Sequence, residues 1–332
     1  MNVLSLFDGM SCGRVALERV GVTVGNYFAS EIDKHAIKVA TANYPDIIQL
    51  GDISKWQEWD IDFGSIDLLL AGFPCQAWSV AGKQKGDNDP RGALVHDLIA
   101  VWQKIKEKNP NVKFLFENVK MKKEFLDYIN DLFGVEPILI NSALLSAQNR
   151  KRYYWTNIAD IDQPEDKGIM LKDIVHKGVD VDEYKVPLDD SFKLLDKEVE
   201  KGKVGYFHKD SQTNRVYFVH DKAVTLCGCA GGGATKMGQY LFGCITPGRL
   251  NKRQNGQRFS KGEKFYTLTA QDKHGILTEG YIRKLTPVEC ERLQTLDDGY
   301  TDKGVSNAQR YKMIGNGWTV SVIEHIFKTL QK

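Results

Sequence analysis

Short apolar runs alternate with amphipathic segments through the first 160 residues of the chain. NVLSLF, NYFASEID, IDLLLAG, KFLFENV, PILINSALL and RYYWTNI read as strands, and RVALERVG, KHAIKVATANY and KEFLDYINDLF carry helical spacing between them. RVALERVG ends in a glycine and KHAIKVATANY stops at Pro45, as helix ends do. Between IDLLLAG and KFLFENV, a longer helix places Leu94, Leu98, Val101, Trp102 and Ile105 on one face. Strands and helices alternating in this way predict an α/β fold built on a doubly wound, mainly parallel sheet.

The rhythm breaks near residue 160. Residues 160 to 200 are rich in Asp, Lys and Glu with weak periodicity, and 200 to 275 are rich in Gly, Thr and Gln with short β-like runs. This predicts a second, smaller domain of irregular β structure. Within it, AVTLCGCAGGG and FYTLTAQDKHG echo each other around Thr225-Leu226 and Thr267-Leu268, too loosely for a repeat array. TPVECERLQTL and TVSVIEHIFKTL are helical again. The expected division is a domain over 1–160, a second over 161–280, and a segment over 281–332 returning to the first.

With 332 residues the chain can bury a sizeable core, and 42% apolar with 27% charged residues is ordinary globular composition. Its 45 basic and 43 acidic residues give a formal net charge of +2, so affinity for a polyanion must come from local clustering. GRLNKRQNGQRFSKGEK is such a cluster, with six basic residues and one acidic, interleaved with Asn and Gln. The cysteines at 12, 75, 227, 229, 244 and 290 form no CxxC pair, and MNVLSLFDG does not resemble a signal peptide; a reducing, cytoplasmic protein is expected. Cys227 and Cys229 lie near Cys244 and His220, but without a second paired motif no metal site is expected. No apolar stretch approaches membrane-spanning length.

Candidate chemistry collects where strands end. Cys75, in LAGFPCQAWSVAGKQKG, sits just beyond the carboxyl end of an apolar run, the edge where open α/β sheets place ligands. That stretch alone leaves a nucleophile and an idle loop cysteine equally open. Gly9 and Gly13 in SLFDGMSCGRVALERVG allow a tight turn and close approach to a ligand, although the pattern is not GxGxxG. Glu31, Asp33 and Asp52 fall at successive strand ends with nothing basic ready for a pyrophosphate. Such an inventory suits an adenosine-containing ligand such as S-adenosyl-L-methionine, while any one of these acids alone could be merely solvated.

Taken together, FDGMSCG, EID, GDIS, GFPCQAWS, RGAL, FENV, QNRKRYYW, RKLTPVECERLQT and IGNGWTV resemble the DNA cytosine-5 methyltransferase family, in that family's order and outside only residues 160 to 280. The resemblance implies a Rossmann-like methyltransferase sheet with a target-recognition domain, S-adenosyl-L-methionine as cofactor, and double-stranded DNA as substrate. Cys75 matches the thiolate that adds to carbon 6 of cytosine, which turns carbon 5 into a nucleophile. Glu117 matches the carboxylate on ring nitrogen 3 and the exocyclic amine. Arg150 and Arg152 match the Gln-x-Arg-x-Arg pair, Arg152 toward oxygen 2 of the base and Arg150 supporting it and Cys75. For the cofactor, the family pattern implies Phe7 against the adenine, Glu31 on the ribose and Asp52 on the adenine amine. Gly9, Gly13, Ile32, Pro74, Leu94 and Asn316 complete that set. Three departures are visible: Trp78 where Phe is common, Ile32 in place of a frequent Trp, and Gly317-Trp318 in place of a small-Val pair.

A base inside a duplex must be flipped out before both faces can be reached. SVAGKQKGDNDPRG suits a closing loop, with Ser79 and Lys83 as phosphate contacts or plain surface residues. Arg253, Arg258 and a threonine, Thr267 or Thr225, are the DNA contacts expected in the recognition segment. A stand-alone, monomeric bacterial or phage enzyme is expected, with a cognate restriction endonuclease as its partner if it belongs to a restriction system. A silent relative would have lost Cys75, Glu117 or an arginine. A tRNA cytosine methyltransferase would share the mechanism, whereas a nicotinamide-dependent oxidoreductase needs a phosphate-cradling glycine pattern that is absent.

Overall fold

In the computed structural model the described residues are 1–74, 90–176, 180, 182–186, 190–199, 203–210, 214–218, 222–226, 239–242 and 281–331. The first half forms strands β1 (Val3–Leu6), β2 (Tyr27–Ser30), β3 (Ile48–Gln49), β4 (Leu68–Gly72), β5 (Lys113–Val119), β6 (Ile138–Asn141) and β7 (Lys151–Thr156). They make one seven-stranded sheet in the order β3-β2-β1-β4-β5-β7-β6. Every pairing is parallel except those of β7, which runs antiparallel to both β5 and β6.

Side chains alternate across this sheet, and the alternation in the sequence decides which face each strand residue serves. Leu68, Leu70 and Leu115 join one apolar cluster, while Leu69, Ala71, Phe114 and Phe116 join the other. Helices α1 (Cys12–Arg19) and α2 (Lys34–Asn43) cover the first face. Helices α3 (Pro90–Lys108) and α4 (Lys123–Phe133) cover the second, where Leu98, Val101, Trp102 and Ile105 are buried. Trp102, Phe114, Phe116, Phe133 and Trp155 pack there with tilted or edge-on rings.

The carboxy-terminal helices α5 (Pro287–Leu293), α6 (Asn307–Asn316) and α7 (Val320–Phe327) return to the first face, where Val320, Val322, Ile323 and Ile326 are buried in the same cluster as Val15 and Leu17 of α1. Long-range polar contacts fix the return. Arg19 donates to the carbonyl of Thr295 (2.6 Å) and to Glu324 (3.0 Å), and the Tyr300 hydroxyl donates to the carbonyl of Met10 (2.7 Å). Helix α6 was not expected from the pattern.

Strands β8 (Lys185–Val186), β9 (Phe192–Val199), β10 (Lys203–Phe207), β11 (Arg215–Phe218), β12 (Gln239–Phe242) and β13 (Tyr281–Lys284) form a second, six-stranded sheet in the order β8-β13-β12-β11-β10-β9. Among the described residues of this sheet, only β11 and β12 pair in parallel. Strand β13 pairs with β12 and β8 inside this sheet, ahead of the carboxy-terminal helices. The segment 222–226 packs back on the first region. Gln148 and Ala223 form a parallel bridge, and the Ala223 amide donates to the carbonyl of Ala147 (2.7 Å). No helix among the described residues is long and apolar enough to cross a membrane.

Candidate active site

At the carboxyl edge of β1 the chain turns through left-handed residues, Phe7 (φ 55°), Gly9 (φ 62°) and Ser11 (φ 63°). Gly9 suits this conformation and faces open space, since a Cβ there would meet no atom within 4 Å. The Glu31 carboxylate, at the end of β2, holds the turn from across the edge. One oxygen accepts the Gly9 amide (2.8 Å) and the other accepts the amides of Ile32 and Asp33, both at 2.8 Å. Beside it the Ile32 side chain is 74% exposed. Asp52 is exposed and caps the short helix that follows it, accepting the Ser54 amide (2.9 Å). Phe7, Leu50 and Leu94 are partly buried against the α3 side of the core.

Gly13, in the first turn of α1, is held small by packing, because a Cβ would lie 2.6 Å from Cδ1 of Leu70. Asp33 caps α2 through the His35 amide (2.9 Å) and pairs with Lys312 (2.6 Å), so it is occupied within the fold. Asn316 stands exposed at the end of α6, and Pro74 is half-buried just after β4.

Asp8 lies in the same turn and accepts hydrogen bonds from Ser11 and from the Tyr27 hydroxyl (2.8 Å). Burial pushes its carboxyl from 3.8 up to about 6, against these hydrogen bonds and helped by the charge of Glu31. A folded-state value above the unfolded one means that the folded protein holds this proton more tightly. The stabilisation is therefore complete below pH 3.8 and is lost as pH rises through about 6. Urea unfolding across this range should show the wild type losing about 3 kcal/mol relative to Asp8→Asn. Parallel pH profiles for the two proteins would refute it.

The second half of the site is built where β4, β5 and β7 run side by side. The register sets Gly72 opposite Glu117, Glu117 opposite Tyr154, and Val119 opposite Arg152. Glu117 is only 7% exposed. Arg152 Nε donates to its Oε1 (2.8 Å), and the indole Nε1 of Trp318 donates to its Oε2 (3.1 Å). Asn118, the next residue, donates through Nδ2 to the carbonyl of Phe73 (3.2 Å), fixing the chain just ahead of Pro74 and Cys75.

Arg150 is buried, and its guanidinium donates to the carbonyls of Leu226 (3.0 Å), Gly315 (3.2 Å) and Gly317 (3.0 Å). It thereby joins β7's leading segment to the carboxy-terminal motif and to the segment 222–226. Thr225 reinforces the same junction by donating to the carbonyl of Asn149. The structure thus brings Glu117, Arg150 and Arg152 to one end of the sheet and adds Trp318 and Asn118, whose contacts sequence reasoning missed. Trp318 was visible only as a departure from a motif, and Asn118 only as part of FENV. Cys75, Ser79, Lys83, Arg253, Arg258 and Thr267 lie outside the described residues, as do His220, Cys227, Cys229 and Cys244.

Chemically, the arrangement offers a buried carboxylate held by two donors on different oxygens, beside an edge rich in acids and apolar surface. Comparison with known proteins gives this arrangement a context. The model of a family described as C-5 cytosine-specific DNA methylase matches residues 1–332. The orphan methyltransferase M.SPRI of Bacillus phage SPR is 30% identical, with 99% of this chain and 97% of that protein covered. The type II methyltransferase M.HhaI of Haemophilus parahaemolyticus is 27% identical over 98% of this chain and 93% of its own length. Among solved structures, the Entamoeba histolytica methyltransferase EhMeth superposes with a TM-score of 0.67 at 18% identity, over 100% of this chain and 99% of that one, and shares the fold.

Proposed function

This chain belongs to the C-5 cytosine-specific DNA methylase family, and on that premise we propose that it methylates a flipped-out cytosine in a specific double-stranded DNA sequence through a covalent Cys75 adduct. The observation that carries the reading is the Glu117 carboxylate, buried at the end of β5 and bound by Arg152. A carboxylate in that state still has lone pairs free: one oxygen can accept the exocyclic amine of cytosine, and a proton taken up between the other oxygen and ring nitrogen 3, itself an acceptor, would complete the pairing. Thymine, with a carbonyl at that position, would be repelled.

The cofactor edge fits an adenosyl ligand. Glu31 accepts three backbone amides, two on one oxygen and one on the other, which fixes the carboxylate and leaves an acceptor site on the second oxygen for a ribose hydroxyl. Exposed Ile32 and half-buried Phe7 offer apolar faces to a purine, and Asp52 offers an acceptor to its amine. Leu94 and Pro74 would wall the site, Gly9 would let the backbone approach it, and Asn316 would border it. S-adenosyl-L-methionine, when bound, supplies an electrophilic sulfonium methyl.

Within the chain, Arg152 would hold Glu117 and reach oxygen 2 of the base. The three carbonyl contacts of Arg150 suit a positioning role, holding the carboxy-terminal motif against β7. Ser79, Lys83, Arg253, Arg258 and either Thr225 or Thr267 would contact DNA. Bisulfite sequencing of DNA and RNA from cells expressing the protein tests the reading. Protected cytosines in one recurrent DNA sequence, absent from cells without the protein, are expected. Protection confined to RNA, or absent from both, would overturn it.

A further inference from the structure

We infer that Trp318 is a positioning residue for Glu117, its indole N–H fixing the carboxylate in the orientation that receives the base. The inference rests on the proposed role of Glu117 and adds a residue whose contribution is particular to this chain's Gly317-Trp318 pair. A glutamate side chain turns about several bonds, and a single donor leaves its carboxylate free to swing about the shared oxygen. Here Arg152, from β7, holds Oε1 at 2.8 Å, and Trp318, from the turn after α6, holds Oε2 at 3.1 Å. Two donors from different elements on different oxygens define the plane, and each oxygen keeps a lone pair for the base.

The surroundings are shaped to admit the indole. A Cβ at Gly72, in the register position opposite Glu117, would lie 2.8 Å from Trp318 Nε1 and 3.4 Å from Cε2. A Cβ at Gly13 would lie 3.6 Å from Cζ3. The preceding Gly317 lets the backbone come against α1's approach, since a Cβ there would be 2.5 Å from Cε of Met10 and 3.3 Å from Sγ of Cys12. Its carbonyl is anchored by Arg150 (3.0 Å) and by Gln294 (3.1 Å). The tryptophan is therefore held from its own backbone and slotted past a glycine onto the carboxylate. Orienting a reacting group beforehand removes that cost from the rate-determining step.

The test is single-turnover methyl transfer from radiolabelled S-adenosyl-L-methionine to duplex DNA, with cofactor affinity measured separately by calorimetry. Trp318→Phe keeps a ring and loses the N–H. It should lower the transfer rate at saturating cofactor roughly 10-fold, with cofactor affinity within about twofold of wild type. Gly72→Ala, which places a methyl against Nε1, should lower the rate comparably. In the Trp318→Phe background it should add little, because the hydrogen bond it disturbs is already gone. Independent packing roles would instead multiply the two effects. Wild-type transfer by Trp318→Phe, or a loss confined to cofactor affinity, would overturn the inference. Should Trp318→Phe fail to fold, Gly72→Ala alone decides, an unchanged rate counting against the inference. A wild-type protein that methylates no DNA cytosine would instead sink the proposed function, and that is read before any variant is made.

Discussion

A duplex carrying 5-fluorocytosine at the target position is expected to leave the protein covalently attached through denaturation, and only when S-adenosyl-L-methionine is present. On the proposed mechanism the Cys75 thiolate would form a bond to carbon 6, and the electrons displaced onto carbon 5 would take the methyl group as its bond to sulfur breaks. With cytosine, a base would then remove the carbon 5 proton, the ring double bond would re-form, and the thiolate would leave. Fluorine cannot leave as a cation, so the reaction stops with the carbon–sulfur bond intact. Cys75→Ala should form no adduct and lower methyl transfer to below roughly a thousandth of wild type while still binding DNA and cofactor.

The structure supplies the controls. Cys12 is buried in the first core cluster, and burial pushes its thiol up to about 12 despite a backbone hydrogen bond from Trp318. Cys290 is buried as well and is raised well above the ordinary thiol range, by burial first and then by Glu289 and Glu291. Neither presents a thiolate near neutral pH, so Cys12→Ala and Cys290→Ala should trap DNA as the wild type does. Peptide mapping of the adduct checks this, and trapping at any other cysteine would refute the assignment of Cys75.

The sheet was legible because its strands, buried on both faces, read as short continuous apolar runs. In IDLLLAG the buried leucines divide between two faces, each with a helix layer over it. What escaped was carried by polar residues in buried places. Helix α6 reads as NAQRYKMIGN, a mostly polar string, yet Arg310 within it is buried and donates to Glu291, itself fully buried. Periodicity analysis scores such residues as surface, so neither the helix nor its anchor is visible to it. The same holds for the site. The residue types of Glu117 and Arg152 were readable from FENV and QNRKRYYW, but that they share one edge depends on β7 running antiparallel to β5, so that the start of one strand lies beside the end of the other. That Arg150 would reach carbonyls of Leu226, Gly315 and Gly317 was not readable, because residue type gives charge and leaves direction open. The contact of Trp318 with Glu117 joins positions 201 apart and depends on glycines at 13, 72 and 317 leaving room, a condition set only in three dimensions.

Glu289→Ala is expected to destabilise the protein by about 3 to 5 kcal/mol, which is a large share of the stability of an ordinary domain. Arg283, in β13 of the second sheet, and Glu289, in α5, form a two-point ion pair at 2.7 and 2.6 Å with side chains 1% and 0% exposed. Glu289 also accepts the amides of Thr286 (2.8 Å), which closes a capping box, and of His176 (3.0 Å). Removing the carboxylate strands a buried guanidinium charge and two buried or half-buried amides together, and each costs free energy that no contact returns. Two charges taken out of water give back in attraction about what they cost in hydration, so Arg283→Met with Glu289→Leu should recover the share due to the stranded guanidinium, while the cost of the two unpaired amides remains. Urea denaturation of the three proteins decides the matter. A Glu289→Ala protein within about 1 kcal/mol of wild type would mean that the charge on Arg283 finds water, and that β13 is held to α5 by packing alone.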